Sequence, residues 1–231
     1  MLKNNGVTSN TPENIPLGAG TYYKNLTYGY TLTTDKAIVA GKDYYTKAVD
    51  VYTKVVSPLV ADIATYYELG WSGTVIGATS GGGTFKYEAE YVDVELDGVT
   101  VLVKGISKQK VGESASLEST IAEYSAGIIS QALHLVKDLT LSNAEYDCYV
   151  TKDSISDSDY LDNVAFVGYT ATGKAIIIIL PNALCTSAFE LKGENKKQGT
   201  YSITFDCTQD LSAQSLNKLP VQWWFPVVAE V

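Results

Sequence analysis

The chain predicts an α+β fold that is mainly β: an antiparallel β-sandwich or barrel with one packed α-helix and a long hairpin. Three observations lead there. Phe85, Tyr87, Ala89 and Tyr91 alternate with Lys86, Glu88 and Glu90, the period of a half-buried strand. Asp97-Gly98 then supplies a two-residue hairpin signal, since both central positions of a type I′ turn need positive φ. Only residues 123–137 place apolar side chains at helical spacing, with Tyr124, Ile128, Ala132 and Leu135 on one face.

In chain order, residues 1–20 mix Asn, Thr, Pro and Gly and end in Gly18-Ala19-Gly20, which predicts a flexible arm before a first strand. Residues 31–69 differ in texture, with the doublets Tyr44-Tyr45 and Tyr66-Tyr67 around Ser57-Pro58, and read as an inserted block of short strands. The predicted organisation is therefore an arm and first strand over 1–30, a tyrosine-rich insertion over 31–69, and the main β domain over 70–231. In the long strand the phase flips: Val92, Val94 and Leu96 become the apolar set, which predicts a bulge near residues 91 and 92. Val99, Val101 and Val103 continue beyond the turn. A second alternating segment, 115–122, leads into the helix. Strands follow over 146–150, 164–170, 175–180 and 201–208, with Thr172-Gly173 turning the second of these into the third. Residues 221–228 form a last strand in which Trp223, Trp224 and Phe225 put large groups on both faces. Two readings stay open for it: a core strand buried on both sides, or a contact between subunits.

Composition narrows the function. The 231 residues carry a formal charge of −9, and all 17 basic residues are lysines. Without arginine there is no planar fork for bidentate phosphate or guanine contacts, and a net acidic protein repels the nucleic-acid backbone. Tight nucleic-acid binding is thus not expected. The first ten residues are polar, with no apolar core of a secretory signal, and the longest apolar run, 175–180, is far short of the ~20 residues a spanning helix needs. Cys148, Cys185 and Cys207 fit neither a disulfide framework nor a paired metal site and are expected to be reduced and mostly buried.

Catalytic chemistry finds little support. His134 is the single histidine and is expected as a solvated residue on the polar side of the helix, with no nucleophile paired to it. The acidic stretch 153–162 lacks the spacing, glycine and terminal glutamate of a calcium loop, and reads as a solvated loop. Ser80-Gly81-Gly82-Gly83-Thr84 lacks the Gly-Lys-Ser/Thr ending of a phosphate loop and reads as a turn or hinge leading into a strand. Asn25-Leu26-Thr27 matches a glycosylation sequon by chance. No enzyme activity, cofactor or metal is expected.

Two segments carry a resemblance: Gly77-Ala78-Thr79-Ser80-Gly81-Gly82-Gly83-Thr84 running into the strand 85–97, and Lys174-Ala175-Ile176-Ile177-Ile178-Ile179-Leu180-Pro181-Asn182-Ala183. Between them come Asp97-Gly98, a strand ending in Lys104-Gly105, the Leu117-Glu118 step and a helix. In that order they resemble the major tail tube proteins of long-tailed bacteriophages, over roughly residues 14–29 and 70–228. The resemblance implies a structural subunit that self-assembles into hexameric rings. Inner strands of the subunits join into a continuous barrel, and the rings stack through loops. It further implies a location in the virion tail after synthesis in the bacterial cytoplasm. The implied partners are other copies, other phage tail proteins, and DNA as non-specific transiting cargo; no membrane is involved. On this reading the 85–110 hairpin lines the lumen and stacks rings through Glu88, Glu90, Asp93, Glu95, Asp97 and Gly98, while Trp223, Trp224 and Phe225 meet a neighbouring subunit. The competing expectation is a monomeric carbohydrate- or surface-binding β-sandwich module that uses its aromatic residues as a stacking platform.

Overall fold

The structure is a computed structural model, and it describes residues 16–35, 39, 41–56, 65–94, 97–98, 101, 103–123, 125–190, 199–213 and 217–227. It is mainly antiparallel β-sheet with one short helix among the described residues, and the sheet does not close into a barrel. The strands are β1 (Pro16–Leu32), β2 (Tyr45–Ala48), β3 (Val51–Lys54), β4 (Tyr67–Val75), β5 (Thr79–Asp93) and β6 (Lys108–Ile121), followed by helix α1 (Ala126–Ala132). Then come β7 (Leu135–Asp138), β8 (Cys148–Thr151), β9 (Leu161–Thr170), β10 (Ala175–Cys185), β11 (Tyr201–Cys207) and β12 (Gln222–Trp224).

Two compact units share the chain. The first comprises Met1–Asn25 and Val75–Val231, the second Leu26–Thr74, which is five residues wider at each end than the 31–69 block. In the first unit the hydrogen-bonded order is β1-β9-β10-β11-β6-β5, with β12 on the part of β10 that β11 leaves open. β9 and β10 occupy the middle of this order. That position fits the unbroken run Ile176-Ile177-Ile178-Ile179-Leu180: the strand is flanked on both edges, with Ile177, Ile179 and Leu180 buried and Ile176 and Ile178 half-buried, so neither face is fully open to water. At the periphery the pattern returns to alternation. Tyr201, Ile203 and Phe205 of β11 face Ile121, Ser119 and Leu117 of β6 in register, and all six are buried. Burial of Leu117, Leu180 or Ile203 contributes on the order of 1.5–3 kcal/mol each.

The second unit contains β2, β3, the distal half of β1 and most of β4. Its buried cluster is small, Tyr44 and Tyr66 with Val55 against them. A polar network supports it. Tyr44 donates to Asp35 at 2.7 Å, Lys42 bridges Asp35 and Glu68 at 2.9 and 3.0 Å, and Thr33 donates to Glu68.

Several expectations are corrected. Strand β1 begins at Pro16, so the predicted arm ends sooner than residue 20; residues 1–15 lie outside the described residues. The helix occupies Ala126–Ala132, well inside 123–137, and Tyr124 lies outside the described residues. Ser125 caps its start by accepting from the Ile128 amide, and His134 at φ 52 ends it by turning the backbone left-handed. Leu135, which matches the helical period, instead opens β7, because one apolar position fits periods of 3.6 and 2 equally. Asp97 and Gly98 lie in a turn, with Gly98 at φ 80, while residues 95, 96, 99, 100 and 102 around it lie outside the described residues. Among the described residues β5 runs to Asp93 opposite Lys108, and the Val94 amide still donates to the Ser107 carbonyl at 2.9 Å.

Candidate functional site

The long hairpin of β5 and β6 is the feature that gathers most of the predicted site residues. Its ladder runs from Thr79 opposite Ile121 to Asp93 opposite Lys108 and is broken twice. Between Thr79 and Gly83, β5 spends four steps where β6 spends two. The glycine run is therefore a bulge inside a strand rather than a hinge ahead of it, and Gly81 and Gly82, both at φ 82, supply the left-handed steps. Gly83 resumes the ladder, where a Cβ would stand 2.1 Å from both the Glu118 carbonyl oxygen and the Tyr22 hydroxyl. The second break lies between Glu90 and Tyr91, where the phase flip was expected. The extra residue, however, is Val111 on β6, so the partner strand carries the bulge.

Alternation on β5 sorts the acidic residues. Glu88 and Glu90 share the face opposite Phe85, Tyr87 and Ala89, while Asp93 falls on the latter's side. Glu88 pairs with Lys86 at 2.8 Å, and that hydrogen-bonded ammonium holds its carboxyl below the usual range. Asp93 pairs across the ladder with Lys108 at 2.9 Å. Asp97 and Gly98 are exposed in the connection, and Glu95 lies outside the described residues. Lys86, Lys104, Lys108 and Lys110 thus nearly balance the five acids of residues 85–110.

Sequence reasoning missed Glu113 on β6. Its side chain is nearly buried, it pairs with Lys110, and it accepts the Leu219 amide at 3.0 Å, fastening the C-terminal segment to the hairpin. The spacing Lys110-x-x-Glu113 was visible, but nothing local shows that residue 219 returns to it.

β12 pairs antiparallel with β10, Trp223 opposite Ile178 and Trp224 opposite Ile177. Trp223 meets the rings of Tyr87 and Phe85 edge-on, centroids 5.4 and 6.2 Å apart. The structure therefore brings this strand against β5. Trp223, Trp224 and Phe225 nevertheless stay 42%, 44% and 65% exposed, so the strand is not buried on both sides.

His134 departs from the solvated reading. It stands beyond the helix, half-buried, with Nε2–H donating to the Cys185 carbonyl at 2.8 Å; its Nδ1 is buried without a partner in the protein. No nucleophile is hydrogen-bonded to it among the described residues. Within 153–162, Asp157–Asp159 forms one 3₁₀ turn, and Asp159 faces inward, pairing with Lys152. Among the described residues no three metal-ligating side chains gather, and no helix is long and apolar enough to cross a membrane.

Fold and site together define an open, mainly antiparallel β protein with a long charged hairpin and an exposed aromatic strand beside it. No family model matches the chain, and no curated protein is similar to it.

Proposed function

We propose that the chain is a structural subunit of a bacteriophage tail tube, self-assembling into stacked hexameric rings around an acidic channel through which DNA passes as non-specific cargo. The observation that carries this reading is β5: 15 residues long, last in the strand order, with no strand on its outer edge among the described residues. An unpaired edge of that length is a template for another chain, and a closed ring of copies satisfies every edge with a neighbour's. The exposed Trp223, Trp224 and Phe225 beside it supply the apolar contact that a subunit boundary needs. Glu88 and Glu90, together on one face, are the acids offered to the lumen. The order of sequence motifs points the same way. On this reading the protein resides in the virion tail and meets other tail proteins at the ends of the tube.

Negative-stain electron microscopy of concentrated protein, with light-scattering mass on the same sample, tests it. Hollow rings or tubes of uniform width are expected; a strictly monomeric protein that stays monomeric when seeded with tail baseplates overturns it. One observation favours the second reading, a carbohydrate- or surface-binding module. In the Leu26–Thr74 unit, Tyr30 stacks on Tyr52 at 3.9 Å with Tyr45 and Tyr67 edge-on around them. Retention of the monomer on immobilised polysaccharide, lost in Tyr52→Ala, would favour it.

A further inference from the structure

Away from the hairpin, three distant stretches of sequence meet around a polar cleft of about 290 Å³ in the first unit. Lys24 comes from β1, Ser130 and Gln131 from α1, Lys152 from the residue after β8, and Ser158 and Asp159 from the 3₁₀ turn. The wall's acceptors are already engaged. Gln131 Oε1 takes Lys24 Nζ at 3.2 Å, and Asp159 takes Lys152 Nζ through Oδ1 and the amide and hydroxyl of Ser156 through Oδ2, both at 2.9 Å.

The donors are in surplus. An ammonium carries three N–H groups, and Lys24 and Lys152 each use one on the wall. Asp159 neutralises Lys152, but no acid pairs with Lys24 among the described residues, so the cleft keeps a net positive charge in a chain of net charge −9. The Ser130 hydroxyl donates to the Gly127 carbonyl at 3.3 Å and the Ser158 hydroxyl is bonded to that of Ser156 at 2.9 Å, so the spare donors are those of the two ammonium groups. A concave site with these and one uncompensated cation matches an acceptor-rich anion. Its volume is several times the ~30 Å³ share of one water molecule, so a tetrahedral or trigonal oxyanion fits.

We propose that this cleft is a binding site for a small oxyanion, a phosphate or carboxylate group, held by Lys24 and Lys152. The site does not depend on assembly into a tube.

The test titrates sodium phosphate into the full-length protein by calorimetry and thermal melting, against sodium chloride at matched ionic strength, with acetate as competitor. Saturable phosphate binding that acetate displaces is expected, together with a melting temperature that rises with phosphate beyond the chloride control. Lys24→Gln should weaken binding tenfold or more. Ser130→Asp, which alters only the rim of the cleft and adds a repelling charge, should do the same while melting normally in chloride. A phosphate effect no larger than that of chloride, or one that persists unchanged in Ser130→Asp, overturns the proposal. Failure of acetate to compete overturns its carboxylate half.

Discussion

Asp159 is only 7% exposed and accepts three hydrogen bonds, Lys152 foremost, which hold its carboxyl down to about 2 from an ordinary 3.8. A lowered folded value means the stabilisation is complete above 3.8 and is lost as pH falls through about 2. Acid unfolding should therefore show a component in that window that is absent from Asp159→Asn, a variant expected to lose about 1–3 kcal/mol at neutral pH by urea denaturation. The thiols offer a second check. Burial pushes Cys207 up to about 12 and raises Cys185 as well, whereas Cys148 is only half-buried. A thiol reagent at pH 8 should label Cys148 first, with the other two reacting only on unfolding. At the tip of the β2–β3 hairpin, Val49 is 90% exposed at φ 56, a backbone conformation costly for a β-branched residue. Val49→Asn should stabilise the protein by about 1 kcal/mol, read as a higher urea midpoint.

Among the elements, the β5–β6 ladder is the most sensitive to a single methyl group. At Gly83 a side chain meets backbone from the partner strand, which cannot rotate away, so Gly83→Ala should cost about 3 kcal/mol, measured by denaturant unfolding. The same ladder shows what the sequence makes legible and what it hides. Alternation over 85–91 and the position of the irregularity near residue 91 are readable, because side-chain period follows directly from the pleat. Which strand holds the extra residue is not, since Val111 looks ordinary until its partner's register is known. At Asp97-Gly98 the local signal is legible, for Gly98 takes the positive φ of 80 that such a dipeptide announces, while the pairing of Asp93 with Lys108 is visible only in the register. His134 shows the limit for sites. Its hydrogen bond to Cys185 spans 51 positions, and only the fold brings the two together.

At the scale of the molecule, the Leu26–Thr74 unit leaves and rejoins the body at neighbouring points, for the Ile76 amide donates to the Tyr22 carbonyl at 2.9 Å. A chain joining Asn25 to Val75 through two glycines should keep a cooperative thermal transition and the tryptophan emission of Trp223 and Trp224. A molten, broad transition would show that the body leans on the excised part. In the tube reading the shortened chain should still form rings under the electron microscope. The adjacency has a further consequence for protein engineering. Closing a loop between two points already held together costs free energy that grows only with the logarithm of its length, roughly 0.6 kcal/mol per doubling. The 25/75 junction is thus a permissive graft point, where a foreign peptide or whole reporter domain can replace the tyrosine-rich unit while the strands that carry it stay paired.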